Sequence, residues 1–246
     1  MIKALLNGLL AYKDALPLIS KLNLWKYFAV PMLISFITAL SIGFSAYGFS
    51  DDLGGLISSL WIWEWGASTV RTISDIAGAL LIIAFGLIAY KHIVMALSAP
   101  FMSPVSEKIE AHLYANVHQH RNTSNASQLL RGLKINLRNL AWELLLSIPF
   151  LLLSLIPVVG VLATASLFLI QAYYAGFGNM DYTLERHFSY RESINFVKAH
   201  RGFATGNGIV FMLFLLIPFV GIILVLPISV TAASTTTLQL LKKQSL

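Results

Sequence analysis

Long stretches without a charged residue dominate the chain. No Asp, Glu, Lys or Arg occurs in 27–50, 76–90, 144–179 or 202–241. Uncharged apolar stretches of this length are typical of segments that lie in a bilayer. We therefore predict an all-α integral membrane protein whose residues 1–246 form a single helical membrane domain.

The first stretch, 27–50, is expected to be a long membrane helix. Its 24 residues exceed the number required, since about 20 residues suffice to cross a hydrocarbon layer of about 30 Å. We expect the acidic pair Asp51 and Asp52, followed by Gly54 and Gly55, to end this helix.

A second long membrane helix is predicted over 72–97. Lys91 and His92 are interpreted as the cytoplasmic exit of this span, because ionisable side chains favour the membrane boundary. The polar residues around Pro100 and Pro104 suggest that the helix continues into the aqueous phase.

The N-terminal segment, 1–20, has its leucines spaced as one face of a helix. Such a segment is typical of an amphipathic helix that lies on the membrane surface. We expect this helix to end near Pro17. It does not resemble a cleavable signal peptide, because no small-residue cleavage site follows an apolar core.

Two later segments are near-repeats of one another. "SLIPVVGVLA" (154–163) and "LLIPFVGIIL" (215–224) are both apolar runs interrupted by Pro-x-x-Gly. Proline disrupts a helix and glycine admits turn conformations. We therefore predict two re-entrant helical hairpins, at 140–178 and 203–241, that enter the bilayer, turn and return. The alternative is that each phrase belongs to one kinked full span.

The distribution of basic residues favours the hairpins. Of the 17 Lys and Arg residues, only Arg71 lies between the two predicted long helices, which leaves 16 on one side. Basic residues accumulate on the cytoplasmic side of membrane proteins. Hairpins keep 181–201 and the C-terminal lysines on that side, whereas single spans would not. We therefore expect a multi-pass protein with both termini in the cytoplasm.

Composition and motifs favour no enzymatic chemistry. The chain has no cysteine, and it lacks the nucleotide-binding and hydrolase motifs. His118 and His120 are the nearest approach to a metal-binding pair, but residues two apart do not share a helix face. We expect no cofactor, no metal and no nucleic-acid partner. The sequence pI near 9.6 is explained by the basic cytoplasmic flanks.

The segment just before the first long helix could hold an anion. The first N–H groups of a helix carry the positive end of its dipole, and Lys21 and Lys26 add two charges. The same lysines, with Trp25, are equally typical of anchors at the membrane interface.

A second group of charged residues frames the entry to the first predicted hairpin. Ionisable groups at such a position either line a solute path or extend to the interface and fix orientation. The residues of this candidate pore lining are Glu107, Lys108, Glu110, Arg131, Lys134 and Arg138.

Three segments together resemble the CysZ-type sulfate permeases of bacteria, within the wider etoposide-induced protein superfamily. They are "KLNLWKYFAVP" (21–31), "ALSAPFMSPVSEKIE" (96–110) and "YYAGFGNMDYTLERHFSYRESINFVKAHRG" (173–202). The last echoes the linker pattern D-Y-x-x-x-R…F-x-E of that family. The resemblance covers essentially the whole chain.

The resemblance implies a homo-oligomer of the bacterial inner membrane that admits sulfate for cysteine biosynthesis, as a channel or a secondary transporter. The alternative is a non-transporting oligomeric membrane scaffold. By the same resemblance, Glu107, Lys108 and Arg131 correspond to pore charges. The implied sulfate-binding loop consists of Lys21, Leu22, Asn23, Leu24, Trp25 and Lys26.

Overall fold

The computed structural model describes residues 2–114, 123–154, 156–217 and 220–244, and within these ranges the regular structure is helical. Two short 3-10 turns, Ala11–Asp14 and Trp25–Tyr27, separate the first elements. The helices are α1 (Ile2–Leu10), α2 (Ala15–Lys21), α3 (Ala29–Ser58), α4 (Ala67–Leu113), α5 (Asn125–Leu153), α6 (Val159–His187), α7 (Tyr190–Ala199), α8 (Arg201–Leu215) and α9 (Val220–Gln244).

Five of the described helices are long and apolar enough to cross a membrane: α3, α4, α5, α6 and the part of α9 from Ile223 to Lys243. The prediction of an all-α membrane protein is therefore confirmed. Helix α8 is also apolar, but its 15 residues are too few to count as a span.

The N-terminal segment is helical beyond its expected end. Pro17 does not end the helix; it is the third residue of α2, which runs on to Lys21. Proline is tolerated there because the first helical N–H groups have no intrahelical partner. Tyr12 fixes the segment to the bundle, since its hydroxyl donates to the carbonyl of Asn207 at 2.8 Å and lies 2.7 Å from Ser229 Oγ. Burial raises the pKa of Tyr12, so this donor stays protonated.

Helices α3 and α4 form a close pair whose extent the sequence reading underestimated. Asp51 and Gly54 do not end α3, which continues to Ser58. A Cβ on Gly54 would lie 2.5 Å from the Cα of Asp75, and one on Gly78 would lie 2.7 Å from the carbonyl oxygen of Ser50. These glycines permit close helix packing instead of stopping the helix.

Helix α4 is the longest element, with 47 residues, and at 1.5 Å per residue it extends about 70 Å. Pro100 and Pro104 lie inside it. Lys91 and His92 lie at the midpoint of this helix and are buried against α5 and α6. That they mark the cytoplasmic exit of its membrane-spanning part stays a prediction.

Helices α5 and α6 are antiparallel and are joined by residues 154–158. Val158 has φ 69° and ψ −54°, and the N–H of Val159 donates to the carbonyl of Pro157 at 2.9 Å, which is a γ-turn. We expected Gly160 to supply the turn conformation. It does not, because it lies in the first turn of α6. A Cβ there would lie 2.4 Å from the carbonyl oxygen of Ser154.

Helices α8 and α9 form a second antiparallel pair. The side-chain amide of Asn207 donates to the carbonyl of Ser229 at 3.1 Å, and Gly221 approaches the carbonyl of Phe214. Pro218 and Phe219 of the second repeated phrase lie outside the described residues. How deeply either pair enters the bilayer stays a prediction.

Helix α6 is the centre of the bundle, and every residue from Tyr174 to Arg186 is buried. It contacts α4, α5, α8 and α9. Its own sequence in this region combines small residues with charged ones, so the core of the protein contains ionisable side chains.

Candidate functional site

A buried ion pair joins the middle of α4 to α5. Lys91 Nζ lies 2.7 Å from Glu143 Oε1 and donates to the carbonyl of Gln171 at 3.3 Å. His92 Nε2 lies 3.0 Å from Glu143 Oε2, and its Nδ1 lies 3.4 Å from Asn136 Oδ1. Lys91 and Glu143 are 0% and 1% exposed, so both charges are removed from solvent, and among the described residues they are satisfied by each other and these neighbours.

Glu143 lies on the buried face of α5, and most of that face is polar. Leucines such as Leu130, Leu133 and Leu137 are exposed on the opposite face, as expected for a helix that faces lipid outward. The polar or small residues that recur at helical spacing on the buried face are Gln128, Gly132, Asn136, Asn139 and Glu143.

A second charged cluster joins the C-terminal end of α4 to the C-terminal end of α6. Arg186 Nη2 lies 2.9 Å from Glu110 Oε2, and His187 Nε2 lies 3.0 Å from Glu110 Oε1. The guanidinium of Arg186 also donates to the hydroxyl of Ser106 and to the carbonyl of Ser103. These donors and acceptors hold the C-terminal part of α4 against α6.

Arg131 completes the polar interior between α5, α6 and α7. Its guanidinium contacts the two carboxylate oxygens of Asp181 at 2.9 and 3.2 Å and donates to Ser193 Oγ at 2.6 Å. The neighbouring carboxylate of Glu185 accepts a hydrogen bond from Ser103. A bidentate arginine–carboxylate contact has strong orientation preferences, so it fixes these helices relative to one another.

The residues of the predicted pore lining separate into three pairs. Glu110 and Arg131 belong to the buried network just described. Glu107 and Lys108 are exposed. Lys134 Nζ lies 4.4 Å from the ring centre of Tyr190, and the guanidinium carbon of Arg138 lies 5.4 Å from that of Phe177.

The candidate site predicted from the sequence did not include Lys91, His92, Glu143 or Glu185. The charges of Lys91 and His92 were interpreted as the membrane exit of the second long helix, so no buried partner was expected for them. The spacing of the polar residues on α5 was the available signal. This spacing indicates a helix whose polar face points into the protein and whose apolar face points outward, the opposite of a helix on the surface of a soluble protein.

The structure corrects one part of the predicted sulfate-binding loop. Leu22, Asn23 and Leu24 donate their N–H groups to the carbonyls of Leu18, Ser20 and Ile19. This arrangement, with Asn23 at φ 52°, is a Schellman motif that ends α2. Those three N–H groups are therefore not available to an anion. The N–H groups of Trp25 and Lys26, which open the next 3-10 turn, precede its first internal hydrogen bond.

The loop is adjacent to a cation of the predicted pore lining. Lys26 Nζ and Lys108 Nζ lie 5.4 and 5.2 Å from the ring centre of Tyr27. Two lysines from different elements thus meet at one aromatic ring.

Within the described residues, no group of three or more His, Asp or Glu side chains is arranged to hold a metal ion. His118 and His120 lie outside those residues.

These features define a multi-pass helical membrane protein with ionisable side chains inside its bundle, an arrangement associated with ion and solute pathways. The profile of the family described as "Sulfate transporter CysZ/Etoposide-induced protein 2.4" matches residues 11–225. The chain belongs to this family. Two relatives, both named "Sulfate transporter CysZ", come from Pseudomonas aeruginosa strains LESB58 and PAO1; each is 26% identical over 227 residues, which is 90% of either chain.

Proposed function

We propose that the protein carries sulfate across the bacterial inner membrane, as a channel or secondary transporter that feeds cysteine biosynthesis. The observation that carries the proposal is the line of buried charged and amide side chains along α4, α5 and α6. Such residues are costly among membrane helices and are retained where a solute must pass. The names of the two relatives support sulfate as the solute.

Capture of the anion is assigned to the loop 21–26. The ammonium groups of Lys21 and Lys26 supply the charge, and the N–H groups of Trp25 and Lys26 supply donors at the start of a helical segment. Lys108 adds a third cation from α4. Leu22, Asn23 and Leu24 serve by shaping the turn that presents these donors.

Passage through the membrane is assigned to the polar interior, with α5–α6 and α8–α9 as re-entrant pairs. The 15 residues of α8 extend only about 22 Å, less than the hydrocarbon thickness of about 30 Å. A turn that stops within the bilayer must be covered by protein or face water. A homo-oligomer would supply that cover.

Energetics limit the mode of uptake. Moving two negative charges into a cell at 100 mV, negative inside, costs about 4.6 kcal/mol, at about 2.3 kcal/mol per charge. Uptake must therefore rely on a sulfate gradient, on rapid consumption inside the cell, or on a co-transported cation such as a proton.

Radiolabelled sulfate uptake into liposomes that contain the purified protein tests the proposal. We expect uptake above that of protein-free liposomes, with a dependence on an imposed pH gradient only if protons are coupled. Equal uptake with and without protein would support the scaffold and overturn the proposal.

Replacing Lys21 and Lys26 by alanine should lower sulfate uptake by about tenfold or more, because each hydrogen bond to a charged group contributes about 1.5–3 kcal/mol. Initial rates in proteoliposomes measure the effect. The matched control is Lys3→Ala with Lys13→Ala, which removes the same charge from two exposed positions in the same segment. Equal losses in both pairs would show that only net charge matters.

The re-entrant arrangement can be tested by cysteine labelling, since the chain has no native cysteine. Val158 is 86% exposed at the α5–α6 turn, and Trp63 is exposed between α3 and α4. With an impermeant maleimide added outside cells, we expect Trp63→Cys to react and Val158→Cys and Arg191→Cys to be protected. Reaction of Val158→Cys from outside would show that α5 and α6 cross fully.

A further inference from the structure

A cavity of about 480 Å³ opens where α5 and α6 meet the junction of α7 and α8. It does not include the buried pairs of the proposed sulfate path. One end is basic and the other is apolar, with two tyrosines between them. This combination requires an explanation, because neither the sulfate path nor the packing of the bundle uses it.

The basic end consists of Lys198, at the end of α7, and Arg201, the first residue of α8. Both side chains are exposed, and neither forms an ion pair with any residue that the structure describes. By contrast, Arg131 and Arg186 are each neutralised by a carboxylate. Lys198 and Arg201 therefore leave an uncompensated double positive charge at the mouth of the cavity.

The middle of the cavity contains Tyr173 and Tyr174, whose rings meet edge to face at 5.0 Å. Tyr174 is only 5% exposed. Its hydroxyl forms no hydrogen bond with the described residues and is accessible from the cavity. A tyrosine hydroxyl that is free to donate, beside two cations that form no ion pair with the described residues, suits a negatively charged group.

The apolar end consists of Leu146, Leu169 and Ile170. Leu146 on α5 and Leu169 on α6 stand side by side because the two helices are antiparallel. They are 42% and 45% exposed on a surface that would face lipid. A small hydrophilic anion would gain nothing from this wall, whereas an acyl chain would bury it.

We propose that this cavity binds one anionic phospholipid. The phosphate lies between Lys198 and Arg201 with the tyrosine hydroxyls as donors, and an acyl chain follows Leu146, Leu169 and Ile170. Basic pockets between helices at the membrane boundary are suited to anionic headgroups. The inference goes beyond sulfate transport and does not depend on it.

Native mass spectrometry of the purified full chain in detergent, titrated with phosphatidylglycerol, tests the proposal. We expect one tightly retained phosphatidylglycerol and no such retention of phosphatidylcholine. Lys198→Ala with Arg201→Ala should weaken retention by about thirtyfold, because each basic residue near the headgroup contributes about a fivefold factor. The control pair Arg191→Ala with Lys243→Ala removes equal charge elsewhere and should retain the lipid. Unchanged retention in the Lys198, Arg201 pair would overturn the proposal.

Two further measurements separate a lipid from a free anion. Leu169→Asn should weaken phosphatidylglycerol retention, since it disrupts the acyl wall and leaves the cations in place. Inorganic phosphate at millimolar concentration should not displace the lipid. Displacement by phosphate, or full retention by Leu169→Asn, would show a simple oxyanion site and contradict the assignment. A melting curve of each variant confirms that loss of retention is not loss of fold.

Discussion

Lys91→Met is expected to destabilise the protein by about 3–5 kcal/mol, because it leaves the Glu143 carboxylate buried without its cation. His92 keeps one hydrogen bond to that carboxylate, but a single imidazole does not replace an ammonium group 2.7 Å away. The measurement is the melting temperature in detergent, or the free energy of unfolding where unfolding is reversible.

The double variant Lys91→Met with Glu143→Leu separates stability from transport. Replacing a whole buried ion pair by apolar side chains of similar volume is often neutral or stabilising. We expect its melting temperature to return close to that of the parent, whereas sulfate uptake stays lost because the polar lining is interrupted. A stable double variant that transports like the parent would show that the pair is structural only.

Gly208→Ala is expected to cost about 3 kcal/mol or to prevent folding, because an added methyl group cannot be accommodated between α8 and α6. A Cβ at that position would lie 1.6 Å from the carbonyl oxygen of Ala172, and one at Gly176 would lie 1.8 Å from that of Ala204. Backbone atoms on the facing helix cannot move aside without separating the helices. The yield of monodisperse protein and its melting temperature provide the test.

The matched control is Gly48→Ala in α3. A Cβ at Gly48 would meet nothing within 4 Å, and alanine is favoured over glycine inside a helix by about 0.5–1 kcal/mol. We expect this variant to be at least as stable as the parent. If both substitutions behave alike, the close contact of α6 with α8 is not what limits stability.

The apolar pattern was sufficient to predict the fold class and the approximate positions of the membrane helices. It could not give their ends. Gly54 reads as a helix terminator in sequence, but its function is to let α3 approach α4. Such a role depends on a neighbour 21 positions away, Asp75, which no local pattern reveals. Similarly, the turn was predicted at Gly160, whereas Val158 adopts the positive φ that makes it.

The charged interior was only partly predictable. Glu110 and Arg131 were selected because they lie near membrane boundaries, and the structure places both in ion pairs. Lys91 was passed over because a lone lysine in an apolar helix reads as a boundary. Its partner, Glu143, lies 52 residues later. Only packing brings the two charges together, so single-sequence reasoning gives no indication of the pair.

Two prolines inside α4 affect how this helix can transmit force. Pro100 and Pro104 each lack the N–H that would bond to the previous turn, so the segment between them is the most easily bent part of the helix. Beyond that segment, Glu110 and Ser106 are tied to Arg186 on α6. A rotation of α6 would therefore tilt the C-terminal fifth of α4 as a lever, while the proximal part that carries Lys91 keeps its place.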